Sequence, residues 1–140
     1  MMSEITLPPG YHPAENEAFM NDRQREYFRR KLIVWKQELL EQSAETLDHL
    51  TDSGRGVPDL ADRASEETDR ALELRTRDRQ RKLISKIDSA LHRIETGEYG
   101  YCEITGEPIS LRRLDARPIA TMTLEAQERH ERREREHRDE

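Results

Sequence analysis

The sequence predicts a mainly α protein: a long antiparallel two-helix coiled-coil hairpin, a small globular turn-rich base, and a C-terminal helix. Three observations lead there. Only 33% of the residues are hydrophobic while 39% are charged, a composition that suits solvated helices with a narrow apolar seam better than a thick interior. Two long stretches carry apolar residues at helical spacing. Between them lies Asp52-Ser53-Gly54-Arg55-Gly56-Val57-Pro58, a break with two glycines and a proline, short enough only to reverse the chain between antiparallel neighbours. The 140 residues divide accordingly into an arm (1–20), the hairpin (21–97, tip 52–64), the base (98–122) and a terminal helix (123–140).

Residues 3–20 hold Pro8, Pro9, Gly10 and Pro13, so they read as an extended arm with at most a helical turn. Tyr11, Phe19 and Met20 can tack it to a helix. Asn21, with Gln24 three residues later, is a suitable N-cap ahead of a periodic run. Phe28, Leu32, Trp35 and Leu39 then repeat at spacings of four, three and four, and Ile33, Leu40 and Leu47 widen the stripe. This predicts a first helix over 22–50. A second is predicted from Asp59 to Gly97, a natural residue to follow a helix end. Its expected inward face carries Ala64, Ala71 and Leu74 early and Ile84, Ile87, Leu91 and Ile94 late. At 1.5 Å per residue such helices run about 40 to 57 Å, with the hairpin tip standing clear of the base.

The segment 98–120 is short, aromatic and turn-rich: a small hairpin, then a helical turn over 110–114. Residues 123–140 favour helix but are charged nearly all round, which predicts frayed last turns. Within the base, Gly100-Tyr101-Cys102-Glu103-Ile104-Thr105-Gly106 has the frame of one zinc-ribbon knuckle. A ribbon uses two C-x-x-C pairs about 15–20 residues apart. Here the remaining ligand positions hold Thr105, Thr123 and Ala126 beside the lone Cys102. The base therefore reads as a degenerate zinc-ribbon-like module.

A formal net charge of −6 argues against a duplex-DNA binder, which needs clustered Lys and Arg to displace phosphate counterions. No apolar run approaches the roughly 20 residues that span a bilayer, and the N-terminus lacks the basic and apolar parts of a signal peptide. A cytoplasmic protein is expected. Catalysis is not: Cys102 has no sequence-near His or Asp set, and His12, His49, His92, His130 and His137 match no metal spacing. Arg75-Thr76-Arg77-Asp78-Arg79-Gln80-Arg81-Lys82 concentrates cations near the hairpin foot. It reads as a solvated face with i,i+4 ion pairs, or as a surface for an anionic ligand. Asp59 and Asp62 fit as N-cap and first-turn acid of the second helix, a role compatible with partner recognition because capping uses only part of each carboxylate.

Pro58-Asp59-Leu60-Ala61-Asp62-Arg63-Ala64, Leu72-Glu73-Leu74-Arg75-Thr76-Arg77-Asp78-Arg79, Gly100-Tyr101-Cys102 and Arg112-Arg113-Leu114-Asp115-Ala116-Arg117-Pro118 together resemble the DksA/TraR family, over about residues 19–133. The resemblance implies a transcription regulator of the stringent response that binds bacterial RNA polymerase instead of promoter DNA. Its coiled coil would enter the secondary channel, with Asp59, Asp62 and Ala64 as the tip directed at the active site, altering promoter open complexes. It implies a binding place for guanosine tetraphosphate (ppGpp) between polymerase and the hairpin foot, at Arg79, Leu83, Lys86 and Arg117; cations suit a nucleotide bearing two pyrophosphates. Gln127 stands where the family pattern has Lys, one formal charge fewer. Having only Cys102 of four thiols, the chain resembles cysteine-poor, zinc-independent members, so zinc is not expected. Structural zinc contributes about 10 kcal/mol or more to a small domain; in its place the base would cohere through Tyr99, Tyr101, Ile104, Ile109, Leu114, Met122 and Leu124. A monomer is expected. The reading from a different class is a structural coiled-coil adaptor that homodimerises and has no transcriptional role, which would need a second apolar stripe.

Overall fold

The computed structural model describes residues 5–52 and 60–138, with the side chains of 46–52, 60 and 61 outside the description. Four helices appear in it: α1 (Asp22–Asp52), α2 (Leu60–Thr96), α3 (Leu111–Ala116) and α4 (Leu124–Arg138). The described residues group into two compact units, one of the residues up to Leu32 with Ser89 onward, the other Ile33–Asp88.

The first unit contains the aromatic core. Asn21 caps α1 as its sequence position predicts: its side-chain oxygen accepts the N–H of Gln24 at 2.9 Å, and its carbonyl accepts that of Arg25 at 3.0 Å. Gln24 itself is fully buried and turns back on the arm, accepting the Met20 N–H at 2.6 Å and donating to the Ala14 carbonyl at 3.3 Å. Met20 adopts φ 53°, an uncommon conformation for a residue with a side chain, and the Gln24 contact holds its N–H there. Phe28 and Tyr99, both buried, meet with ring centroids 5.6 Å apart. Tyr99 also donates its hydroxyl to the Pro118 carbonyl at 2.7 Å, which satisfies the one polar group that its burial would otherwise strand. Burial pushes the Tyr99 hydroxyl well above the ordinary phenol range.

α2 ends where glycine permits. Gly97 takes φ 83°, and the Glu98 N–H reaches back to the Arg93 carbonyl at 2.9 Å, the six-residue closure typical of a left-handed helix stop. The predicted small hairpin is a single antiparallel bridge between Tyr101 and Pro108. Ser110 caps α3, its hydroxyl accepting the Arg113 N–H at 3.2 Å. Thr123 does the same for α4, accepting the Ala126 N–H at 3.2 Å. Beyond its first turn α4 exposes every described side chain.

Not all of the predicted core residues of the base are buried. Tyr99, Ile109 and Leu114 are, and Met122 is half-buried, whereas Tyr101, Ile104 and Leu124 are exposed. Their places are taken by Leu111, Ile119, Ala120 and by Cys102, Thr123 and Ala126. Of the four ligand-frame positions Cys102, Thr123 and Ala126 turn inward, while Thr105 and the intervening Ile104 are exposed.

The second unit is an antiparallel pairing of α1 with α2. Lys36 meets Asp88 at 2.7 Å, and Ser43 meets Gln80 at 3.0 Å, so the register advances on one helix as it recedes on the other. Leu39 and Ile87 fill the seam. Trp35, Ile33, Leu83 and Ile84 are half-buried beside it. Leu40, expected to widen the stripe, is 48% exposed. The early inward face predicted for α2 is not found: Ala64, Ala71 and Leu74 are exposed, and from Asp62 to Arg79 no described side chain is buried. By the register that pairs Ser43 with Gln80, most of the α1 residues facing that stretch fall at 46–52, whose side chains lie outside the description. The side chain of Leu47 lies outside the described residues.

Candidate functional site

Asp59 lies outside the described residues. Asp62 sits in the first turn of α2 and Ala64 follows it, both exposed. A carboxylate at this position complements the positive end of the helix dipole, and its exposure is compatible with a second partner. Ala64, two residues on, points to a different side of the turn and is small there. Among the foot residues in the second unit, Arg79 and Lys86 are exposed and Leu83 is half-buried. Spacings of four and three put Arg79, Leu83 and Lys86 on one side of α2.

Arg117 belongs to the first unit and is exposed at the C-cap of α3, its N–H donating to the Arg113 carbonyl at 2.7 Å. Two residues earlier Asp115 is tied to α1. Its Oδ1 accepts the Tyr27 hydroxyl at 2.5 Å and Lys31 Nζ at 2.7 Å, while its carbonyl accepts Lys31 Nζ at 2.6 Å. Lys31 first, then Tyr27, holds the Asp115 carboxyl below its ordinary range; burial and then the bond to Asp115 push the Tyr27 hydroxyl up to about 12. Sequence reasoning missed this network. Its one local signal is a single acid inside the arginine-rich 112–117 stretch. Also missed was buried Gln80 in the α1/α2 seam, which accepts from Ser43 and donates to Gln42 at 3.3 Å.

At the knuckle, Cys102 is buried with 3% exposure. Burial alone would raise its thiol; the Thr105 hydroxyl and the backbone N–H groups of Thr105, Thr123 and Ile104 outweigh that and bring it down to about 7. A sulfur ringed by donors favours the thiolate, the form that binds metal. Among the described residues no group of three or more His, Cys, Asp or Glu is placed to share a metal ion.

This geometry can now be set against known proteins. Residues 24–94 match the family model for the DnaK suppressor protein DksA, N-terminal domain, and residues 97–132 match the prokaryotic dksA/traR C4-type zinc finger. The RNA polymerase-binding transcription factor DksA of Caulobacter vibrioides is 70% identical over 129 residues, covering 92% of this chain and 91% of that protein. The chain belongs to the DksA/TraR family. The Escherichia coli K12 member with the same description is 42% identical over 115 residues, 82% of this chain and 76% of its own. The solved structure of transcription factor DksA2 from Pseudomonas aeruginosa superimposes with a TM-score of 0.79 at 44% identity, covering 84% of this chain and 90% of that one. The fold class is thus that of the DksA coiled coil, as the sequence predicted.

One expectation is overturned. Zinc was not expected, but residues 97–132 match a C4-type zinc finger, so the module is of a zinc-binding family. Its four positions here do not fit a four-thiolate shell. Cys102 supplies a sulfur, the Thr105 hydroxyl is spent on that sulfur, the Thr123 hydroxyl caps α4, and Ala126 is a buried methyl. No step of the function is drawn through the metal.

Proposed function

We propose that this DksA/TraR member binds bacterial RNA polymerase in the cytoplasm as a monomer and regulates transcription by contact, without catalysis, DNA binding or a membrane. The observation that carries the reading is the 70% identity, over nearly the whole chain, to a relative described as an RNA polymerase-binding transcription factor. No described helix is long and apolar enough to cross a membrane. In this reading the α1/α2 hairpin enters the polymerase secondary channel and presents Asp59, Asp62 and Ala64 toward the active site, altering open-complex lifetime. An exposed acid in a helix's first turn, where the dipole already favours a carboxylate, supports such an approach.

The alarmone ppGpp is proposed to act with the protein through the cations Arg79, Lys86 and Arg117 and the apolar Leu83. Exposed guanidinium groups match pyrophosphate oxygens in geometry and charge. Gln127 is half-buried and donates to Glu131 at 3.0 Å, so it adds no cation to this set.

Transcription from a ribosomal promoter with purified polymerase, with and without ppGpp, tests the proposal. Asp62→Asn removes the charge and leaves the helix in place. It is expected to abolish regulation while the variant still competes with the unaltered protein for polymerase. Normal promoter control by this variant would overturn the assignment of the tip.

A further inference from the structure

Arg117 is an exposed cation on a backbone pinned from both sides. One residue after it, the Pro118 carbonyl accepts the buried Tyr99 hydroxyl at 2.7 Å. Two residues before it, Asp115 is gripped through both its carboxylate and its carbonyl by Tyr27 and Lys31, which lie four apart on α1. These bonds bridge 84 and 88 positions of sequence, so they are tertiary contacts and not local helix pairs. Asp115 is also the only acid among Arg112, Arg113 and Arg117. Arg113 is drawn away by the Met122 carbonyl at 3.0 Å. Were Asp115 released, its carboxylate would be the nearest counter-ion for the arginines beside it, and an arginine so paired is a poorer ligand for a phosphate.

We propose that Tyr27, Lys31 and Asp115 form a latch that positions Arg117 and keeps it unneutralised, so that α1 sets how strongly the protein responds to ppGpp. The inference rests on the reading that Arg117 meets the alarmone. Tyr27, Lys31 and Asp115 are positioning residues and touch no ligand. Their effect comes from ordering Arg117 before it binds. Ordering one long side chain in advance is worth roughly two- to tenfold in affinity.

The test uses full-length protein and purified polymerase. Two quantities are read: the affinity for polymerase without alarmone, and the ppGpp concentration giving half the promoter response. Lys31→Met is expected to raise the second by roughly two- to tenfold with the first unchanged, and Lys31→Arg to restore most of the response. Tyr27→Phe, which keeps the ring on Phe28 at 5.1 Å between centroids, should move the half-response in the same direction by less. It serves as the second variant if Lys31→Met loses helicity. The decisive comparison is in an Arg117→Ala background, where Lys31→Met should add nothing, since residues acting through one group are non-additive. Equal effects of Lys31→Met with and without Arg117, or an unshifted half-response in both latch variants, would overturn the latch while leaving the alarmone assignment intact. An Arg117→Ala protein with a normal ppGpp response would overturn both.

Discussion

At the scale of single residues, the join between arm and knuckle leaves no room for a side chain at Gly100. Gly100 has φ 91°, and a Cβ added there would lie 2.7 Å from Met20 Cε, with Phe19 Cζ at 3.4 Å. Gly97 has a similar φ of 83° but open space around its absent side chain. The pair separates two costs that usually come together. Gly97→Ala should bear only the left-handed backbone penalty, about 1–2 kcal/mol. Gly100→Ala bears the same penalty and must also displace Met20, whose own backbone is held at φ 53° by buried Gln24; overpacking of this kind adds about 1 kcal/mol or more. Urea unfolding of the two variants checks this. A smaller loss for Gly100→Ala than for Gly97→Ala would mean that the arm does not pack on the knuckle as described.

At the scale of elements, the α1/α2 pairing carries a polar layer where a seam residue would be apolar. Gln80 is 6% exposed, with hydrogen bonds to Ser43 and Gln42. Such layers fix register in coiled coils at some loss of stability. Gln80→Leu gives up two hydrogen bonds of about 0.5–1.5 kcal/mol each and gains about 1.5–3 kcal/mol from burying a leucine. Ser43 and Gln42 are near enough to solvent to rehydrate. The two ranges nearly cancel, so the variant should unfold within about 1 kcal/mol of the unaltered protein, followed by helical circular dichroism in urea; a loss of about 2 kcal/mol or more would show that the layer stabilises the hairpin outright. The rest of this seam illustrates what periodicity can reveal. Phe28, Leu32 and Leu39, with Ile87 and Ile94, are buried where the spacing put them, because large side chains bury wherever they share a face. Ala64 and Ala71 are exposed where the spacing put them inward, because a methyl group gives helical periodicity little weight of its own and leaves the inward face undetermined. In the knuckle, Cys102, Thr123 and Ala126 form part of the core in place of Ile104 and Leu124, since turn geometry overrode hydrophobicity. The Asp115 latch was illegible because nothing local relates Lys31 to a residue 84 positions away.

At the scale of the whole molecule, the choice between a monomer and a homodimeric adaptor turns on how the exposed apolar residues are distributed. Val34, Leu40, Leu72 and Leu74 are each about half exposed, enough surface to raise the question of self-association. Their placement argues against it. At 3.6 residues per turn, Val34 and Leu40 lie roughly 120° apart around α1, and Leu72 and Leu74 roughly 160° apart around α2. Neither pair makes a second stripe, which a coiled-coil partner would need at regular heptad positions, and singly exposed apolar residues are normal on soluble proteins. Where the seam is buried, at Leu39, Gln80 and Ile87, α1 and α2 already close on each other. Self-repulsion from the net charge of −6 acts in the same direction. Light scattering after size exclusion should therefore give the monomer mass of 16.5 kDa at all loading concentrations. A mass that rises toward twice this value with concentration would mean that another copy covers these residues, and the adaptor reading would replace the regulator.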